Sequence, residues 1–259
     1  MVHRFLFLLS LSIFLSACVS LPEPEGYAFQ KIETKTFPLA SWARIGQEGK
    51  PVRVYIEGDG LAWLNSYTPS VDPTPSDLMV LELVKKDPSA NVIYLARPCQ
   101  FVSSNECRVY YWTNGRFDPK VIEAETEAIR VLMKRYKAPS VELVGYSGGG
   151  AVALLTAARL KNVSKVYTVA GVSDHKAWTE YHGDSPLSGS LNPADEKEKL
   201  SKIPQTHFAG TADKTVPVSL IEKFVYSLKN DRAEVIVVPD VTHNKGWIKL
   251  WNRLISPLN

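Results

Sequence analysis

Short apolar runs alternate along most of this chain with segments whose apolar residues recur at helical spacing. The runs at 52–56, 91–96, 141–144, 165–170, 206–209 and 233–238 each predict a buried strand. Between them, 78–86, 119–137, 151–158, 218–229 and 247–255 predict helices. Pro119 stands at the first turn of the second helix, where its missing N–H costs nothing, and Pro88 stops the first, which Ser76 or Asp77 would cap. Ahead of these, 29–37 and 41–45 read as an antiparallel edge pair. Strands alternating with helices predict an α/β fold with a mostly parallel sheet covered on both faces. The polar, glycine- and proline-rich stretch 171–202 interrupts that alternation as a lid-like insertion.

One strand-to-helix junction carries chemistry. The strand ending at Val144 runs into Gly145-Tyr146-Ser147-Gly148-Gly149, a G-x-S-x-G match, and the helix follows at once. A serine at the tip of so sharp a turn takes a strained backbone, and side chains two residues either side would collide there. The turn exposes the Ser147 hydroxyl beside the unpaired N–H groups of a helix N-terminus. The plainer reading is a glycine-rich turn of some other α/β protein. Neither the P-loop nor the G-x-G-x-x-G spacing fits it.

An attacking serine needs a base, and the base needs an orienting acid. In a parallel sheet such groups sit on loops at the carboxyl ends of strands. Asp213 follows the strand 206–209 on a tight turn, and His243 follows the strand 233–238. Asp240 is the competing acid, but it lacks a strand-end turn. His207 sits inside a strand and reads as a core residue; His175 and His182 precede the acid.

With Gly145-Tyr146-Ser147-Gly148-Gly149, Gly210-Thr211-Ala212-Asp213, Val216-Pro217 and Thr242-His243 in that order, the chain resembles the α/β-hydrolase family from the strand at 52–56 to the C-terminal helix, within a domain expected over 27–259. The resemblance implies that Ser147 is the nucleophile, His243 the base and Asp213 the acid. It implies an oxyanion hole made by the Gly148 N–H and a donor from the loop Glu57-Gly58-Asp59-Gly60, with Asp59 first and Gly60 as the alternative. Glu57 departs from the histidine that often opens this loop in the family. Trp63, Tyr146, Trp178 and His182 are the candidate substrate contacts, although packing explains Trp63 and an ordered loop explains Trp178 and His182 equally well.

The amino terminus changes the setting. His3 and Arg4 precede an apolar run too short to span a bilayer comfortably, and the run ends Leu15-Ser16-Ala17-Cys18. This resembles the lipobox of bacterial lipoprotein precursors. It implies a signal peptide over 1–17, lipid on Cys18 and a Pro-rich tether over 18–26. Val19 in place of Asp implies, by resemblance to enterobacterial sorting, the outer membrane facing the periplasm. An ordinary signal peptide or a buried apolar helix is the alternative. Export to an oxidising compartment makes Cys99 and Cys107, eight positions apart, the natural disulfide pair; two free buried thiols are the alternative.

Composition narrows the rest. Apolar residues make up 45% of the 259 residues and charged ones 22%, enough for a substantial core. The net charge is +3 with both signs interspersed, so no basic stripe calls for nucleic acid. The expectation is a lipid-anchored serine hydrolase acting on a small-molecule ester or acyl substrate, with no cofactor and no metal. An acyltransferase, a peptidase or a catalytically silent envelope lipoprotein used for binding are the rivals.

Overall fold

The computed structural model describes residues 21–256. The expected signal segment 1–17 and Cys18 lie outside the described residues. In chain order the elements are Ala28–Ile32 (β1), Leu39–Ile45 (β2), Val52–Ile56 (β3), the hairpin of Trp63–Asn65 (β4) and Thr68–Pro69 (β5), and Met79–Lys86 (α1). Asn91–Leu95 (β6), Pro119–Arg135 (α2), Val141–Tyr146 (β7), Gly148–Ala157 (α3) and Val163–Val169 (β8) follow. His175–His182 (α4), Lys197–Leu200 (α5), Gln205–Gly210 (β9), Val218–Leu228 (α6), Ala233–Val238 (β10) and Trp247–Ile255 (α7) complete the chain.

The main sheet has eight strands in the order β1-β2-β6-β3-β7-β8-β9-β10. Pairing is parallel from β6 to β10, and antiparallel where β2 meets β1 and β6. Every residue of β3 and β6 is buried, as a sheet covered on both faces requires. Successive residues alternate between two cores. Val54, Ile56, Ile93, Leu95 and Leu143 pack with α2, α3 and α6, whereas Tyr55, Val92, Tyr94 and Val144 pack with α1 and α7. The chain therefore has the α/β-hydrolase fold. Every residue of α3 is buried, which anchors the helix that begins beside Ser147.

Some expectations need correcting. The first strand stops at Ile32 because the Thr34 hydroxyl donates to Phe37 O at 2.7 Å and accepts from Phe37 N at 3.2 Å, closing a local turn over the remaining residues. Neither Ser76 nor Asp77 caps α1: Leu78 holds that position without a side-chain bond, and both polar residues line a cavity beside Ser147. The insertion 171–202 is not only a loop. Asp174 accepts from Lys176 N and Ala177 N to start α4, and Gly183, at φ 67°, ends it. Cys99 and Cys107 form a disulfide across the irregular segment between β6 and α2. Among the described residues, no helix is long and apolar enough to cross a membrane.

Candidate active site

Ser147 sits between β7 and α3 at φ 52° and ψ −122°, a strained conformation for a residue with a side chain. Its surroundings explain the flanking glycines. A Cβ on Gly145 would lie 2.2 Å from Gly149 O, and one on Gly149 would lie 2.4 Å from Glu57 O. The turn is held from both sides: Ser147 N donates to Val169 O, while Ser147 O accepts from Gly150 N and Val172 N.

The loops after β9 and β10 deliver the partners. His243 Nε2 lies 2.9 Å from Ser147 Oγ, and His243 Nδ1 lies 2.9 Å from Asp213 Oδ2. An ionised carboxylate only accepts, so Nδ1 carries the proton and Nε2 is left to accept from the serine hydroxyl. Asp213 is 5% exposed, and its other oxygen accepts from Thr215 N at 2.8 Å and Val216 N at 2.9 Å. The carboxylate is thus fixed by backbone before it meets the imidazole. Trp247 Nε1 donates to the carbonyls of Thr242 and His243 at 3.0 Å, pinning the histidine loop to α7. Asp240 is exposed at φ 58°, and its backbone N donates to Thr211 Oγ1, while His243 Nδ1 is taken by Asp213. His207 is fully buried, with Nδ1 2.8 Å from Thr168 Oγ1; burial pulls its pKa down to about 3, so it is a neutral core residue. His175 is buried at the start of α4, within the insertion, with Nε2 3.3 Å from Ser190 O.

The loop after β3 reaches the same place. A Cβ on Gly58 would lie 3.5 Å from Ser147 Cβ, and one on Gly148 would overlap Asp59 Oδ1 at 2.1 Å. Among the described residues, the N–H groups of Gly148, Asp59 and Gly60 have no protein acceptor. Gly60 has φ +63°, and a Cβ there would meet Pro73 O at 2.1 Å, so this position requires glycine. Glu57, in place of the expected histidine, is buried, and its carboxyl accepts from Gly58 N at 2.8 Å and from Tyr94 OH at 2.8 Å. Burial raises its pKa to about 7, against the pull of those two bonds.

A carboxylate against Gly148 would oppose an oxyanion forming there. Asp59 is neutralised by residues that the sequence did not mark. Arg116 Nη1 lies 2.5 Å and Arg97 Nη1 3.3 Å from its oxygens. Burial pushes the Asp59 carboxyl up, and Arg116 and Arg97 more than reverse this, holding it below the usual range. Two cations around one anion leave a positive balance beside the helix N-terminus. Gln100 completes the cage: its Nε2 donates to Gly58 O at 3.1 Å and its Oε1 accepts from Arg97 N at 3.0 Å. Nothing in the local pattern of 97–117 signals these roles.

The cavity at Ser147 measures about 230 Å³, with Tyr146, Met79, Asp77 and His243 among its walls. The Tyr146 ring lies 5.3 Å from that of His243. The other candidate contacts are not brought there. Trp63 and Trp178 line a different cavity of about 460 Å³, alongside Arg116 and Leu187. The Asp59–Arg116 ion pair stands between the two, since Asp59 borders the first cavity and Arg116 the second. His182 lines neither; its Nε2 is 2.8 Å from Thr215 O, and Trp178 Nε1 donates to that same carbonyl at 2.7 Å. These two side chains brace α4 against the Asp213 loop.

The family described as serine hydrolase (FSH1) matches residues 73–243. Among solved structures, an esterase from Pyrococcus furiosus aligns with a TM-score of 0.64 at 18% identity, covering 88% of each chain. The Est1E protein of Butyrivibrio proteoclasticus, in a structure with ferulic acid bound, aligns at 0.65 and 12% identity, covering 87% of this chain and 95% of that one. A lidless α/β serine hydrolase from Xanthomonas campestris aligns at 0.54 and 15% identity, covering 93% of this chain and 100% of that one. At these identities the likeness is one of fold. Comparison with curated proteins finds none that matches.

Proposed function

The chain belongs to the serine hydrolase (FSH1) family, and on that premise we propose that it is a carboxylic ester hydrolase working through an acyl-enzyme on Ser147. The observation that carries this reading is the unbroken chain from Ser147 Oγ through His243 to Asp213, with both links at 2.9 Å. Ser147 attacks the acyl carbonyl while His243 Nε2 takes its proton. Asp213 holds the imidazole and stabilises its cation. The N–H groups of Gly148 and Asp59 receive the oxyanion, and the Arg97–Arg116 pair cancels the Asp59 charge that would oppose it. His243 then protonates the leaving alkoxide, and water, activated by the same imidazole, releases the acid.

The cavity volume of about 230 Å³ falls below the ~300–1,000 Å³ of pockets for drug-sized ligands, which favours a small acyl group at Ser147. A fluorophosphonate probe tests the nucleophile. Wild type should label on Ser147, and a panel of esters should lose turnover as the acyl chain lengthens. Labelling at another residue would end this assignment. Product analysis with a competing alcohol separates hydrolysis from acyl transfer.

We also propose that Cys18 carries lipid and holds the domain at a bacterial membrane, in the periplasm at the outer membrane. The lipobox-like Leu15-Ser16-Ala17-Cys18 supports this, and so does the disulfide, which suits an oxidising compartment. Mass spectrometry of the mature amino terminus should find the acylated cysteine. An unmodified Cys18 would refute the anchor.

A further inference from the structure

From Gly60, which lines the Ser147 cavity, to Val71 the chain carries no charged residue, and the segment folds into the β4–β5 hairpin between β3 and α1. Its apolar side chains point outward: Trp63 is 41% exposed, Leu64 60%, Tyr67 91% and Val71 91%. The tip is held firmly. Asn65 Oδ1 accepts from Tyr67 N and Thr68 N, both at 3.0 Å. The base is closed by Leu61 N to Pro73 O and Ser70 N to Ala62 O, and Trp112 Nε1 donates to Ser70 O at 3.0 Å. A rigid, uncharged hairpin displaying Trp, Leu, Tyr and Val to water suits a boundary that is apolar on one side and wet on the other.

The point at which the amino-terminal segment reaches the domain indicates what covers the hairpin. Trp42 Nε1 donates to Pro22 O at 2.7 Å, and Leu21 packs on the core cluster that contains Trp42. Trp42 pairs with Tyr94, one residue before β6 ends, so this contact lies at the carboxyl edge of the sheet, the edge that carries Ser147. The Trp42 ring is 5.1 Å from that of Phe101, and Phe101 N donates to Thr74 Oγ1 at the foot of the hairpin segment. Only three residue steps separate Cys18 from Leu21, a reach of about 10 Å at ~3.3–3.6 Å per residue.

We propose that the β4–β5 hairpin docks on a phospholipid bilayer, so that the Ser147 face of the anchored protein is turned toward the membrane and takes its ester from the lipid–water boundary. This rests on the Cys18 anchor proposed above. The short reach keeps the carboxyl edge of the sheet close to the bilayer, and the hairpin, in the connection that leaves that edge after β3, displays Leu64, Tyr67 and Val71 at 60%, 91% and 91% exposure. Because the segment is uncharged, the contact is made by apolar insertion and not by headgroup charge. It is therefore insensitive to salt, unlike a polybasic contact.

The test uses the full lipidated chain in phosphatidylcholine vesicles, with and without brominated acyl chains. Trp63 emission should be quenched by bromine and the quenching lost in Trp63→Phe. The triple variant Leu64→Ser/Tyr67→Ser/Val71→Ser changes only exposed side chains. It should keep wild-type turnover of a soluble short-chain ester while its turnover of the same short acyl group carried on a long-chain alcohol held in the vesicles falls by roughly tenfold. Unquenched Trp63 together with an unchanged ratio of the two turnovers would overturn the proposal. So would concentration-dependent self-association that the triple variant abolishes, because the occupant would then be a second copy of the chain. Mass spectrometry of Cys18 on the same sample separates this result from failure of the anchor. If Cys18 is bare, hairpin-dependent co-sedimentation with the vesicles still supports docking, and its absence overturns it.

Discussion

Asp213→Asn isolates one proton. In the native site, Asp213 Oδ1 accepts from two backbone N–H groups, of Thr215 and Val216, and Oδ2 faces His243 Nδ1. An amide has one acceptor atom and one donor group. The two backbone donors claim the amide oxygen, so the NH₂ is forced toward His243. Nδ1 must then accept, which moves the ring proton to Nε2, where it points at Ser147 Oγ. The side chain keeps its shape and its backbone bonds, yet the imidazole can no longer take the serine proton. In serine hydrolases built this way such a change lowers kcat by ~10⁴, which is about 5.4 kcal/mol at about 1.36 kcal/mol per decade. The assay is steady-state turnover of a p-nitrophenyl ester beside a thermal melt. The expected result is the large loss in kcat with Tm nearly unchanged, and a ¹⁵N spectrum showing the proton of His243 on Nε2. Retention of activity within tenfold would refute the reasoning, as would a loss explained entirely by a lower Tm.

Other consequences follow from the same contacts. Ser147→Ala and His243→Ala should each cost about as much turnover as the two together, since the pair acts as a unit, whereas Asp240→Asn should change it only modestly; equal losses for Asp240→Asn and Asp213→Asn would shift the acid assignment. Cys107→Ser should lower stability by about 2.5 kcal/mol from loop-closure entropy, read from urea unfolding, with the buried Cys99 thiol alkylated as the chain unfolds. Glu125 is fully buried; among the described residues neither oxygen has a hydrogen-bond partner, and Arg97 Nε lies 4.0 Å from Oε1; burial raises its pKa from 4.5 to about 8, with Arg97 pulling against this. Between those values the folded state holds a proton that the unfolded chain has released, so its contribution to stability falls as pH rises, by on the order of 4 kcal/mol. Glu125→Gln should flatten that decline in melts across the range, and an unchanged slope would show that the carboxyl is already ionised in the fold.

Much of the site was legible because its requirements are local. A strained serine between a strand and a helix needs Gly145 and Gly149, since any side chain there meets backbone within 2.5 Å. A residue just past the end of a parallel strand arrives at one edge of the sheet whatever the rest of the chain does. Apolar periodicity therefore carried Ser147, Asp213 and His243 to a common edge before any contact was known. It also marked the strands, because a sheet buried on both faces writes continuous apolar runs into the sequence. Short-range polar bonds set finer limits that periodicity does not contain, as where Thr34 ends the first strand at Ile32.

The environment of those residues was decided by tertiary structure alone. Arg97 and Arg116 stand 38 and 57 positions from Asp59, in an irregular segment with no period to read. Their pairing depends on how that segment folds back over the β3 loop. The same holds for the substrate side chains. Trp63 and Trp178 lie in connections that leave the sheet's carboxyl edge, which sequence can say, but they line a cavity on the far side of the Asp59–Arg116 ion pair from Ser147. Met79 and Asp77 stand inside it instead. Backbone geometry repeats along the chain and so leaves a signature in residue order. A contact between distant side chains is fixed by packing at one point in space and leaves none.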